Sequence, residues 1–199
     1  MQNLQKTYQL KKQEISKRLN DFKALNKSQY FSELMFCLLT PQSKAKSCWE
    51  AIQEINLLKK FDKEQIRNIL SKKTRFHNNK TNYLMLAKEQ WPQIESQLSN
   101  TNRKELRNWL TQNIKGIGLK ESAHFLRNIG KSNNQISILD RHILRNLESI
   151  GLIGDQKIKS PKHYLEIENS FLNLAKKLNI PADHLDLILW SNETGEVFK

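Results

Sequence analysis

The chain has 199 residues, with 33 Lys+Arg against 20 Asp+Glu and a formal charge of +13. That length suits one compact unit or two small lobes sharing a cleft, and the charge favours a polyanion, most simply nucleic acid, held by salt-sensitive contacts; a basic protein with no specific partner is the plainer alternative. Two cysteines, Cys37 and Cys48, exclude a disulfide scaffold and read as buried thiols. The first residues lack an apolar h-region and the longest apolar run, Leu34 to Leu39, is too short to span a bilayer. A cytoplasmic protein with no targeting signal and no membrane partner is therefore expected. Nothing in the pattern argues for an oligomer, so monomer is the default.

The first predicted element is a basic helix over about 4–25, with apolar points at Tyr8, Ile15, Leu19 and Phe22. Its Lys11-Lys12 and Lys17-Arg18 pairs read better as a solvated face than as a DNA contact. Ser28 opens the next helix, whose run Leu34-Met35-Phe36-Cys37-Leu38-Leu39 is apolar nearly all round and predicts a central core helix. Pro41 ends it by disfavouring helix at Thr40. A third helix is expected from Gln42 or Ser43, with Trp49, Ile52 and Ile55 on one face. Asp62 and Gln65 have capping-box spacing for a fourth, running to about Ser71.

Lys72 to Lys80 is dense in cations around one aromatic. Two readings stand for Arg75-Phe76-His77: an exposed tip that stacks into a duplex against an orphaned base, or, more commonly, a Phe that staples the following helix. That helix carries Tyr83, Leu84, Leu86 and Ala87 and is expected to kink or break at Trp91-Pro92. Asn102 opens another helix, with Leu106, Trp109 and Leu110 inward.

Asn113-Ile114-Lys115-Gly116-Ile117-Gly118-Leu119-Lys120 ends that helix, turns through two glycines and starts the next. Gly116 and Gly118 fit a turn needing positive φ or close backbone approach, and Ile117 can anchor it in the core. The first N–H groups of the following helix then face a position suited to a DNA phosphate. Lys120 falls in the first turn, beside the positive end of the dipole. A cation is structurally odd there, yet a neutral amine can attack a sugar carbon. Lys115 and Lys131 are rival amines, but neither sits in the first turn after the glycines. Gly130 stops the second helix. Asp140, 20 positions after Lys120, then opens a helix to about Ile150; an Asp so placed also reads as a simple N-cap. Ser160-Pro161 starts a long amphipathic helix and Pro181 the last one. No strand alternation is visible, so the fold reads as all-α.

Gly116-Ile117-Gly118-Leu119-Lys120, followed by Leu139-Asp140-Arg141-His142, resembles the helix–hairpin–helix DNA glycosylase superfamily. The resemblance implies a two-lobed helical fold with the active site in the inter-lobe cleft. One lobe would be contiguous over 28–132, and the other would join 1–27 to 133–199. Lys120 would be the Schiff-base nucleophile and Asp140 the essential carboxylate, facing each other across the cleft. Gly116, Gly118 and Lys115 would hold the DNA backbone. Leu39-Thr40-Pro41-Gln42 matches the loop whose Gln enters the gap left by a flipped nucleotide; Gln42 is the wedge, or else an ordinary exposed loop Gln.

Endonuclease III and its adenine-glycosylase relatives carry a four-cysteine iron–sulfur loop near the C-terminus. This chain has no cysteine after Cys48 and no zinc spacing, so no cofactor is expected. The tail Trp190-Ser191-Asn192-Glu193-Thr194-Gly195-Glu196-Val197-Phe198-Lys199 resembles the archaeal-type 8-oxoguanine DNA glycosylase/lyase family, which also lacks the cluster. That resemblance implies a base pocket including Trp190, Phe198 and Lys199, duplex DNA containing 8-oxoguanine as partner, and an enzyme that excises the base and cuts the strand by β-elimination. Two alternatives remain: a related glycosylase for another lesion, such as oxidised pyrimidines, and a non-catalytic DNA-binding module.

Overall fold

The computed structural model describes residues 2–198, the side chains of Gln2, Asn3 and Thr194 excepted. Among these residues there are ten α-helices and no strand: α1 Gln2–Lys23, α2 Tyr30–Leu39, α3 Ala45–Asn56, α4 Lys63–Lys73, α5 His77–Gln97, α6 Arg103–Asn113, α7 Leu119–Asn128, α8 Arg141–Ser149, α9 Pro161–Leu178 and α10 Ala182–Thr194. None of these helices is long and apolar enough to cross a membrane. By contacts the chain divides into a middle unit, Asn26–Phe125, and a terminal unit, Met1–Leu25 with Leu126–Lys199. Residues 126–132, which the resemblance grouped with the middle, group by contacts with the termini.

The middle unit is built on α2. Every residue from Glu33 to Leu39 is buried, as an all-round apolar helix requires. It packs on α3 and α5, and α4 packs on both of those. Cys37 and Cys48 are buried thiols. Asp62 caps α4 by accepting the Gln65 N–H at 2.9 Å.

Two boundaries differ from expectation. Helix α3 starts at Ala45 rather than at Gln42 or Ser43: Gln42 takes a left-handed φ of +56°, outside the right-handed helical region, and Lys44 is still extended as the N-cap. Helix α5 runs through Pro92 to Gln97 instead of breaking there. Its buried stripe of Leu84, Ala87 and Ile94 continues past the proline, and that burial outweighs one lost backbone hydrogen bond.

In the terminal unit α10 is central, packed by α1, α8 and α9. Leu185, Leu187, Ile188 and Leu189 are buried, as are the four apolar points of α1, Tyr8, Ile15, Leu19 and Phe22. Arg127 and Asp186 form a buried ion pair at 2.7 Å, Nη1 to Oδ2. Asp183 beside them accepts from the Ser132 hydroxyl at 2.6 Å. Burial pushes the Asp186 carboxyl up to about 7, against the pull of Arg127 and with the push of Asp140 and Asp183. Burial raises Asp183 as well.

The fold makes two predictions. At Gly116, with φ +92°, an added Cβ would lie 2.4 Å from the Tyr83 ring, whereas Gly154 has open space. Gly116→Ala should cost about 2 kcal/mol or more, a fall in Tm of about 4–8 °C, while Gly154→Ala leaves Tm within about a degree. For Asp186 the folded pKa lies above the unfolded one, so the native state keeps a proton that the unfolded chain releases. Its contribution to stability therefore falls as pH rises from about 4 towards about 7. Urea midpoints at pH 5 and pH 7 should separate more in the wild type than in Asp186→Asn; equal separations would contradict this.

Candidate active site

The hairpin is α6, the turn Ile114 to Gly118, and α7. Ile114 and Ile117 are buried and anchor the turn, while Lys115 and Gly116 are exposed. Only Gly116 of the two glycines takes positive φ. Its backbone crosses the face of Tyr83 on α5, which leaves no room for a side chain. Gly118 has a different reason: an added Cβ would lie 3.1 Å from Glu121 Oε2. Thr111 of α6 and Ser122 of α7 share a hydroxyl–hydroxyl hydrogen bond of 3.0 Å across the hairpin.

Lys120 lies in the first turn of α7, as the spacing predicts, with 28% of its side chain exposed. Its Nζ is 2.8 Å from Glu121 Oε1. Sequence reasoning missed Glu121. An acidic residue in a first helical turn ordinarily reads as dipole compensation, and nothing in the spacing says it turns towards the amine. The rival amine Lys131 lies beyond the end of α7, where its backbone N–H closes the helix on Leu126 O at 2.7 Å.

Asp140 caps α8 and is half-buried. One oxygen, Oδ1, accepts from the backbone N–H of both His142 at 2.8 Å and Ile143 at 2.9 Å. The cap thus uses a single oxygen, so the structural and chemical readings of Asp140 are compatible. Helix α9 fixes the segment that leads into it. The Tyr164 hydroxyl donates to Ser137 O at 2.7 Å, and Glu168 Oε1 accepts from the Ser137 N–H at 2.9 Å.

In the same unit, Trp190 on α10 is half-buried and meets His142 edge-on at 6.4 Å between ring centroids. His142 Nδ1 lies 3.7 Å from Glu193 Oε2, which also pairs with Arg145 at 2.8 Å. The residues after Asp140 are thereby tied to the helix that carries Trp190. Phe198 is half-buried; Lys199 lies outside the described residues.

The wedge candidates gather in the middle unit. Gln42 is exposed, and Phe76 is 54% exposed with a φ of +57°. Phe76 therefore does not staple α5 into the core; its left-handed backbone turns the ring outward, with Arg75 over it at 6.0 Å. The Arg75 N–H donates to Ser43 Oγ at 3.0 Å, which joins this tip to the Gln42 loop. His77 begins α5 and is half-buried.

The sequence profile of a family described as 8-oxoguanine DNA glycosylase matches residues 15–180. The chain belongs to that family. Its helix–hairpin–helix is α6–turn–α7, and the matched span includes both Lys120 and Asp140. An 8-oxoguanine DNA glycosylase/AP lyase of Fusobacterium nucleatum is 39% identical, over 98% of this chain and 96% of the relative. The one from Methanocaldococcus jannaschii is 36% identical over the whole of both chains. The crystal structure of the latter with a 15mer DNA containing 8-oxoguanine has a TM-score of 0.88 at 34% identity, covering 100% of each chain. The Thermotoga maritima 8-oxoguanine DNA glycosylase has a TM-score of 0.90 at 28% identity, covering 100% of this chain and 97% of that one.

The two readings of Asp140, helix cap and catalytic carboxylate, are separable by substitution. Asp140→Asn keeps a cap acceptor, whereas Asp140→Ala loses it and about 1 kcal/mol of stability. Both should lower base excision by about a hundredfold or more, measured by single-turnover kinetics on DNA with one 8-oxoguanine. If Asn retains wild-type rates while Ala does not, Asp140 is only a cap.

Proposed function

We propose that this chain excises 8-oxoguanine from duplex DNA and then cuts the abasic strand through a lysine Schiff base. The observation that carries the reading is the full-length similarity to a relative solved with DNA containing 8-oxoguanine. A duplex hides the glycosidic bond, so the nucleotide is extruded before reaction. Lys115 and the amides of the hairpin, opened by Gly116 and Gly118, hold the phosphates. Gln42, with Arg75, Phe76 and His77, fills the space the nucleotide leaves. Trp190, Phe198 and Lys199 receive the base. The reaction takes place wherever the cell keeps its DNA, the cytoplasm in a prokaryotic-type cell.

The chemistry follows from Lys120 in the first turn of α7 and Asp140 at the cap of α8. Lys120 Nζ attacks C1′, and the N-glycosidic bond breaks with its electrons leaving on the base. Asp140 stabilises the positive charge that develops on the sugar or helps deprotonate the incoming amine. The C1′–O4′ bond of the resulting aminal then breaks, with O4′ taking up a proton, and leaves an iminium that acidifies C2′; loss of that proton expels the 3′ phosphate by β-elimination. Water then releases Lys120. Ser or Asp at position 120 would instead leave water as nucleophile and the strand uncut.

Borohydride trapping on a duplex with one 8-oxoguanine tests the reading. The wild type should form a covalent adduct and Lys120→Gln none, with duplex affinity within about twofold. An adduct that survives in Lys120→Gln would assign the nucleophile to another amine. Binding without any wild-type adduct would favour the non-catalytic DNA-binding module, and a duplex with an oxidised pyrimidine outcompeting 8-oxoguanine would reassign the lesion.

A further inference from the structure

Lys80 is a buried lysine, only 4% exposed. Its ammonium donates to Leu39 O at 2.6 Å, Pro41 O at 2.9 Å and Ser43 Oγ at 2.8 Å. These are neutral oxygens, and burying a cation against them is expensive compared with an apolar side chain of similar length. Burial accordingly pushes the Lys80 amine below its ordinary value. What the cation gains is position. Leu39 ends α2, where carbonyls lack helical partners and the dipole is negative. The Cys48 thiol adds a weak donor to the same Leu39 carbonyl at 3.3 Å.

The segment wound on this ammonium is the loop that presents Gln42. It holds Gln42 at a left-handed φ of +56°, and Phe76 on the neighbouring tip stands at +57°. Non-glycine residues keep such backbones only where their surroundings enforce them. Ser43 is the shared point. Its Oγ accepts from both Lys80 Nζ and the Arg75 N–H, so one hydroxyl fastens the two tips together.

We infer that Lys80 is a positioning residue for base extrusion: it locks the Gln42 loop and the Arg75-Phe76 tip into one preformed fork that enters the duplex. The inference rests on the reading that this chain acts on duplex DNA. A rigid fork fills the gap left by the flipped nucleotide without ordering two loops at the moment of extrusion. Lys80 itself touches no DNA in this role.

The test compares a substrate that needs the fork with one that does not. Lys80→Met keeps the length of the side chain and deletes the three donors. Single-turnover excision of 8-oxoguanine from duplex should fall about ten- to a hundredfold. Borohydride trapping on single-stranded DNA with a preformed abasic site should stay within about twofold, because the aldehyde is already exposed. Ser43→Ala, which removes the shared acceptor but leaves Lys80 its two carbonyls, should lower the duplex rate by a smaller factor and leave trapping on single-stranded DNA within about twofold, and it carries the test if Lys80→Met fails to fold. Parallel losses on both substrates would make Lys80 a general stability residue and overturn the proposal, as would an unchanged duplex rate. No wild-type adduct on the duplex would remove the underlying function and this role with it.

Discussion

The crossing of Gly116 over the Tyr83 ring is the constraint on which the hairpin depends. The two groups are close enough that a single carbon added to the glycine would occupy the ring. Ile114 and Ile117 on either side are buried, so the turn can neither lift away from α5 nor shift along it without exposing them. That fixes where α7 begins, and therefore where Lys120 stands. A glycine is required here by contact as well as by φ. Gly118, two positions on, lacks the positive φ and yields only to the movable end of Glu121.

Much of this was readable in one dimension because it is local. The apolar points Tyr8, Ile15, Leu19 and Phe22 of α1 and the all-round apolar run of α2 are buried as their periods require. The caps at Asp62, Asn102, Asp140 and Ser160 each accept a backbone N–H from the first turn of the helix they open. Lys120 and Asp140 were found by motif, and the structure sets each in the first turn or at the cap of a helix.

What escaped the sequence depends on partners far along the chain or on side-chain direction. Lys80 looks like one more cation in a basic run, yet its partners lie 37 to 41 positions earlier. The Arg127–Asp186 pair spans 59 positions and has no local signature. Glu121 is adjacent to Lys120, but adjacent residues on a helix do not ordinarily face each other; here the carboxylate bends back over the turn. The start of α3 is not legible because Gln42 carries a left-handed backbone without being a glycine, in a loop whose carbonyls and Ser43 hydroxyl bond to the distant Lys80. Pro92 misled for the converse reason: a strong local signal yielded to the buried stripe of α5.

Both proposed reacting groups sit at helix N-termini, although one is a carboxylate and the other an amine. For Asp140 the arrangement is complementary. The amides of His142 and Ile143 and the positive end of α8 stabilise negative charge on a carboxylate that keeps its second oxygen out of the cap. For Lys120 the same feature works against a cation, and Glu121 at 2.8 Å supplies the compensating charge in the resting protein. In the proposed reaction the amine leaves this contact to reach the sugar. The first N–H groups of α7 lie beside Lys120, where the proposed reading places a phosphate. One structural device, the unsatisfied N–H groups of a first helical turn, thus holds the Asp140 carboxylate on α8 and, under the proposed function, offers the substrate backbone a place on α7. Glu121 holds the lysine at a helix end where the dipole alone would oppose its charge.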